Sequence, residues 1–241
     1  MNNSSLKFIH HLILDTLLPI HCFGCGKEGV WICKTCFKKI SARKDQICPI
    51  CERMITPDGR TCINCKSKAA LDGMLCAASY KTPLVANAVH GFKYNFIHGL
   101  QFPLAKLLIK ELHNSNLPIA DILIPIPLHK RRLRWRGFNQ SELLARRISQ
   151  KLLPNMEISV ASNAILRKKY TKPQKEIQNK KERMENIKDA FHVPNPALVK
   201  DKTVFLVDDI ATTGSTIKEC ARVLKRAGAK HVFAIVIARQ S

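Results

Sequence analysis

Residues 204–216 read Val-Phe-Leu-Val-Asp-Asp-Ile-Ala-Thr-Thr-Gly-Ser-Thr. Four apolar residues, Val204 to Val207, have the composition of a strand buried on both faces. An acid pair, Asp208 and Asp209, follows at once. Ala211, Thr212, Thr213, Gly214, Ser215 and Thr216 then lead into a helix predicted over Ser215 to Ala227. Paired carboxylates at a strand end suit the vicinal hydroxyls of a ribose. A hydroxyl-rich loop with a glycine at a helix N-terminus offers backbone N–H groups to a phosphate.

Outward from this point, strands and helices alternate. Strands are predicted at Met74 to Tyr80, Asp121 to Ile126, Ile158 to Ala161 and His231 to Ala238, and at Thr203 to Val207 itself. Helices are predicted at Pro83 to Lys93, Leu100 to Leu112 and Gln140 to Leu152. This is the signature of an α/β fold, a mostly parallel sheet with covering helices, whose ligands bind beyond the carboxyl ends of the strands. After the strand at Ile124 the chain reads Lys130, Arg131, Arg132, Leu133, Arg134, Trp135, Arg136, Gly137. Five cations with an aromatic among them, in a loop on the ligand side, suit pyrophosphate or a nucleic-acid backbone.

Before residue 67 the texture differs. Eight of the ten cysteines form four CxxC pairs, Cys22/Cys25, Cys33/Cys36, Cys48/Cys51 and Cys62/Cys65, punctuated by glycines and prolines. Two such knuckles complete one tetrahedral four-thiolate site, so eight ligands point to two structural Zn(II) ions. Short gaps within each half favour two sequential ribbons over an interleaved arrangement. The domains are therefore read as residues 1–66, an N-terminal helix with a double zinc ribbon, and residues 67–241, the α/β domain. Cys76 and Cys220 stand apart and read as small buried residues.

The chain has 241 residues, 46% of them hydrophobic, with 40 Lys+Arg against 18 Asp+Glu, a formal charge of +22. That length and apolar content exclude a disordered chain or a disulfide miniprotein. Leu6 to Ile20 is broken by His10, His11 and Asp15, which reads as a short amphipathic helix instead of a signal peptide or a membrane span. A cytoplasmic location is expected. The positive excess implies polyanionic company. It is concentrated: residues 130–188 hold 17 basic and five acidic side chains, a net +12. No Walker motif and no GxGxxG is present.

The run VFLVDDIATTGST resembles the 5-phosphoribosyl-1-pyrophosphate (PRPP) signature of type I phosphoribosyltransferases. With PIPLHKRR, RGFNQSELLA, the HGFKY segment around Lys93 and the four CxxC pairs, the whole chain resembles the competence protein ComF family. That family joins a double zinc ribbon to a phosphoribosyltransferase-like domain and is implicated in natural transformation. The resemblance implies that Asp208 and Asp209 are the catalytic pair and hold the ribose of PRPP, with Mg(II), while Ala211 to Thr216 bind its 5-phosphate. Lys130, Arg131, Arg132, Arg134, Arg136 and Gly137 would then meet pyrophosphate or DNA. Arg167, Thr171, Gln174, Arg183 and Asn186 would belong to a lid over the site, in the polar stretch from Leu166 to Asp189. It further implies single-stranded DNA and competence proteins as partners. A PRPP-sensing or DNA-binding adaptor without catalysis, and a nucleotide-salvage transferase, are the alternatives, because a fold does not entail its chemistry.

Overall fold

A computed structural model describes residues 20–43, 45–169 and 180–240. Apart from Ile20, the helix expected over Leu6 to Ile20 lies outside these residues. The chain divides after Ile40 into two compact units.

In the smaller unit the backbone turns tightly around Cys22 to Lys27, with the amides of Cys22 and Gly26 bonded to the carbonyls of Lys27 and Cys22 at 2.8 and 2.9 Å. A one-turn helix follows, α1 (Lys34–Lys38), in which the Cys33 side chain caps the amide of Cys36. Among the described residues of this unit only Cys22, Cys36 and Ile40 are buried apolar groups. So small an apolar interior cannot offset the entropy of ordering the chain, and the fold needs another source of stability.

The larger unit is built on a parallel sheet. Its strands, in chain order, are β1 (Gly73–Ser79), β2 (Ile122–Pro125), β3 (Ser159–Val160), β6 (Thr203–Ala211) and β7 (His231–Arg239). They lie in the order β1-β7-β6-β2-β3, every neighbouring pair parallel. Two further short strands, β4 (Leu166–Arg167) and β5 (Phe191–His192), pair antiparallel in a separate hairpin. The hairpin brackets the segment read as a lid.

Alternation along the central strands sends side chains to opposite faces. Val204 and Leu206 join Val232, Ala234 and Val236 in one core, which is closed by Ile217, Cys220, Ala221 and Leu224 of α8 (Ser215–Arg226). Phe205 and Phe233 meet edge to face at 5.7 Å on the other side. There the sheet is covered by α4 (Gln101–His113) and α6 (Gln140–Lys151). Before them in the chain comes α3 (Pro83–Tyr94), with Pro83 at its first turn. Cys76 and Cys220 are buried in the core, as expected.

Three features differ from the expectations. The acid pair lies inside β6, not after it, because the ladder with β7 continues to Ala211 opposite Arg239. The basic stretch is a helix, α5 (Lys130–Arg136), started by His129 Nδ1, which accepts from the Arg131 amide at 3.2 Å, and stopped by Gly137 at φ 78°. The segment Leu166 to Asp189 also has an anchored end. Helix α7 (Lys180–Ile187) buries Ile187 in the core, and Asp189 pairs with Arg222 of α8 at 2.8 Å.

The second cysteine quartet falls within the larger of the two compact units. Its loops run along the outer edge of β1, and its last knuckle enters the short helix α2 (Ile63–Lys66). Gln46 donates to the Cys76 carbonyl at 2.8 Å and accepts from the Cys76 amide at 3.1 Å, and Arg60 and Ala42 form bridges to Gly73 and Ala78. Gly59, at φ 69°, sits so close to the Met74 carbonyl that a Cβ there would collide with it.

Candidate functional site

A cleft of about 740 Å³ opens over the carboxyl ends of the strands. Tyr80 enters it from beyond β1, Ile126, Arg131, Arg132 and Arg136 from beyond β2, Asp208, Asp209 and Thr212 from β6 and its loop, and Gln240 from beyond β7. This is the position at which an open α/β sheet presents ligand-binding residues.

The acids form its floor. Asp209 is buried, and its Oδ1 lies 2.8 Å from Lys93 Nζ, which α3 delivers from above. Asp208 Oδ1 accepts from the Ser141 hydroxyl and from the Asp209 amide, both at 2.9 Å. Ser141 is placed by Asn139, which caps α6 and donates its side-chain amide to the Ile126 carbonyl at 3.1 Å, tying the end of β2 to that helix. Burial, and then the charge of Asp209, push the Asp208 carboxyl up to about 7, against the pull of Lys93. Burial works against the Lys93 ammonium, but Asp209 and Asp208 outweigh it and hold Lys93 above its ordinary value.

Beyond the acids, the loop turns at Gly214 (φ 66°), from which α8 begins. Thr212 and Thr216 line the cleft. The hydroxyls of Thr213 and Ser215 are 2.7 Å apart, and Ser215 is buried. Ala211 ends β6 and bonds the Gln240 amide at 2.9 Å.

Of the basic residues, Arg131, Arg132 and Arg136 line the cleft, joined by Arg167 of β4. Lys130 and Arg134 are exposed and are not part of the lining, and Gly137 serves as the helix stop. Burial lowers the Arg136 guanidinium, with Asp209 pulling the other way. Burial and then Arg132 bring Arg167 down to about 10. Arg136 lies 5.8 Å over Tyr94 and 5.9 Å over Trp135, and Trp135 stays 61% exposed while meeting Phe96 edge to face at 5.2 Å. Thr171 and Gln174 lie outside the described residues. Asn186 and Arg183 belong to α7, and Asn186 is not among the residues that line the cleft.

Lys93, Ser141, Gln140, Tyr80, His90 and Tyr94 were not picked out as site residues from sequence, although HGFKY marked Lys93's neighbourhood. None stands beside the acid pair in the chain; the packing of α3 and α6, and for Tyr80 the end of β1, brings them there.

Each cysteine quartet gathers sequentially. Cys22, Cys25, Cys33 and Cys36 form one group and Cys48, Cys51, Cys62 and Cys65 the other, with the sulfur atoms of each within 4.8 Å of one another. Cys25 and Cys33 Sγ are 3.8 Å apart and Cys51 and Cys62 Sγ 3.9 Å. A tetrahedron with Zn–S bonds of about 2.3 Å has edges of about 3.8 Å, so both quartets fit structural zinc. Amides of Cys33 and Cys62 donate to Cys22 and Cys48 Sγ at 3.3 and 3.4 Å, the outer hydrogen bonds that orient the ligands of a metal site. No helix of the described residues is long and apolar enough to cross a membrane.

Comparison with known proteins places this architecture. The phosphoribosyl transferase domain model matches residues 139–241. Competence protein F of Haemophilus influenzae is 32% identical over 235 residues, 91% of this chain and 96% of that protein. The chain belongs to the competence protein ComF family. Other ComF relatives include the DNA utilization protein YhgH of Escherichia coli O6:H1, 34% identical over 225 residues, 89% of this chain and 95% of that protein. Competence protein ComFC of Bacillus subtilis is 24% identical over 209 residues, 82% of this chain and 79% of that protein. Both the α/β domain with its acid pair and the cysteine quartets lie within a chain of ComF type.

Proposed function

We propose that this ComF protein binds PRPP in the cleft and acts in the uptake and handling of DNA. The observation that carries the PRPP reading is a pair of buried donors. Arg136 Nε and Gln140 Nε2 are buried in residues that line the cleft and have no hydrogen-bond partner among the described residues. Buried donors left unpaired are costly, so the site calls for an acceptor-rich ligand. In this reading the ribose hydroxyls donate to Asp208 and Asp209. The 5-phosphate takes the amides and hydroxyls of Ala211 to Thr216, and the pyrophosphate meets Arg131, Arg132 and Arg136. The oxygen donors of the acid pair suit Mg(II), which when bound would neutralise part of the pyrophosphate charge. Ser141 and Lys93 orient the carboxylates, while Arg136 and its neighbours stabilise negative charge on a departing pyrophosphate. Two structural Zn(II) ions complete the protein.

Calorimetric titration of PRPP with Mg(II) into the full chain is expected to give saturable binding with Kd between about 1 µM and 1 mM. Absence of binding refutes the reading. Pyrophosphate release in the presence of acceptor bases separates a transferase from a PRPP-sensing adaptor.

The DNA reading is favoured by α5, whose exposed side chains include Lys130 and Arg134 and, beside the cleft, Trp135, a cationic surface with a stacking ring. Single-stranded DNA affinity is expected to fall steeply with salt. Lys130→Ala with Arg134→Ala should make the log–log slope shallower by about 1.4, at roughly 0.7 per lost phosphate contact. A flat salt response in the unaltered protein would exclude direct phosphate contact.

A further inference from the structure

The second cysteine quartet has a polar outlet that ends on the loop between β6 and α8. Glu52 directly follows Cys51 and takes a left-handed backbone, φ 61°, with its amide donating to the Cys48 carbonyl at 3.0 Å. The knuckle that brings the two thiols together therefore also fixes where Glu52 points. Its Oε1 lies 3.1 Å from Arg239 Nη2 at the end of β7 and 3.3 Å from Lys218 Nζ on the first turn of α8. Arg239 is only 2% exposed, so Glu52 supplies the counter-charge to a cation held out of water.

Lys218 carries the contact onward. Its Nζ donates to the Thr213 carbonyl at 3.2 Å, and its stem packs beside Gly214. In a trans peptide the carbonyl and the next N–H point in opposite directions. Holding the Thr213 carbonyl towards Lys218 therefore turns the Gly214 N–H the other way. A left-handed residue such as Gly214 ahead of a helix is the backbone form from which anion-binding concavities are built. Glu52 keeps the ammonium engaged on the outer side of this loop instead of in the anion position.

We propose that Glu52 is a positioning residue for the phosphate loop, through which the intact Cys48/Cys51/Cys62/Cys65 knuckle sets the affinity for PRPP. This rests on the reading of Ala211 to Thr216 as the 5-phosphate site. It gives the cysteine quartet a role beyond holding its own segment together, since a knuckle that loses its shape releases Lys218 and with it the loop.

The test uses the full-length protein and two readouts, the PRPP Kd by calorimetry and the hydrogen exchange of amides 213–216 without ligand. Glu52→Gln and Lys218→Met are each expected to weaken PRPP by about tenfold, the size of one hydrogen bond, and to speed exchange of those amides, with zinc content unchanged. Lys218→Arg, which keeps the charge and the donor, should stay within about twofold of the unaltered protein. A residue that served stability alone would lower the melting temperature and leave both readouts unmoved at 20 °C. Wild-type Kd and exchange in both Glu52→Gln and Lys218→Met overturn the proposal. Should Glu52→Gln fail to fold because Arg239 loses its partner, Lys218→Met alone decides. Failure of the unaltered protein to bind PRPP overturns the phosphate reading instead, and the exchange data then decide whether Glu52 braces the loop.

Discussion

Asp208→Asn combined with Asp209→Asn is expected to weaken PRPP binding by about 100-fold or more, because it removes two charge-assisted acceptors worth roughly 1.5–3 kcal/mol each. The single variants should part company in stability. Asp209 faces the Lys93 ammonium at 2.8 Å with its carboxylate buried. Asp209→Asn leaves that lysine with only Asp208 as counter-charge, and breaking a buried pair in this way costs up to about 3–5 kcal/mol, less here because Lys93 keeps some contact with water. Asp208 behaves oppositely. Its carboxyl is raised from 3.8 to about 7, first by burial and then by Asp209. Between those two values the folded protein holds a proton that the unfolded chain has released, so this group makes stability fall as pH rises from about 4 to about 7. The shift of about three pK units corresponds to roughly 4 kcal/mol at most. Asp208→Asn removes that decline and should melt no lower than the unaltered protein at pH 8, while still losing PRPP affinity. Melting curves from pH 4 to 8 alongside calorimetry check both halves. Retention of PRPP binding by both single variants and by the double one would show that the acid pair is not the ribose site.

Metal removal is expected to unfold residues 20–40. That unit buries only Cys22, Cys36 and Ile40 among its described apolar residues, far too little to hold a chain by itself. Zinc binding to four thiolates contributes an apparent 10–16 kcal/mol or so at neutral pH, which then amounts to the folding free energy of the unit. A strong chelator, or Cys36→Ser, should make this segment protease-sensitive while the parallel sheet stays protected, and metal analysis of the untreated protein should give two zincs per chain. A value far below two, or a chelated protein whose first 40 residues resist protease as before, would contradict the structural-zinc assignment. The second quartet should release its metal more slowly. Cys48 is fully buried, and its loops are hydrogen-bonded to β1.

Much of this architecture was legible because its signals are local. Val204 to Val207 can only be a strand buried on both faces, the hydroxyl loop announces a helix N-terminus, and CxxC spacing is set by the geometry of two thiolates on one ion. What escaped notice depends on partners distant in sequence. Lys130 to Arg136 lacks an apolar stripe, so nothing in its periodicity marks a helix; His129 and Gly137 at its ends do the work. Leu166–Arg167 and Phe191–His192 are strands of two residues each, too short to show alternation, and they exist because they pair across 23 intervening positions. Lys93 is an ordinary lysine in an apolar helix until α3 lays it on Asp209. Cysteine spacing suggested one ribbon module ending near residue 66. The edge of β1, to which the second quartet's loops bind, gave no sign in the sequence that it needed a cover.

That cover affects how molecules of this protein meet one another. A parallel sheet ends in a row of unpaired main-chain groups, and an outermost strand as apolar as Gly73–Ser79 would recruit the matching strand of a second molecule. Here the row is interrupted at Gly73 by Arg60, at Cys76 by the Gln46 amide and at Ala78 by Ala42. At Cys76 the cap is a single side chain imitating a peptide group, and it satisfies the strand without offering a further edge of its own. The loops around the second cysteine quartet thus also act as a terminator, stopping the sheet at five strands and keeping one molecule's sheet from growing into the next across this edge.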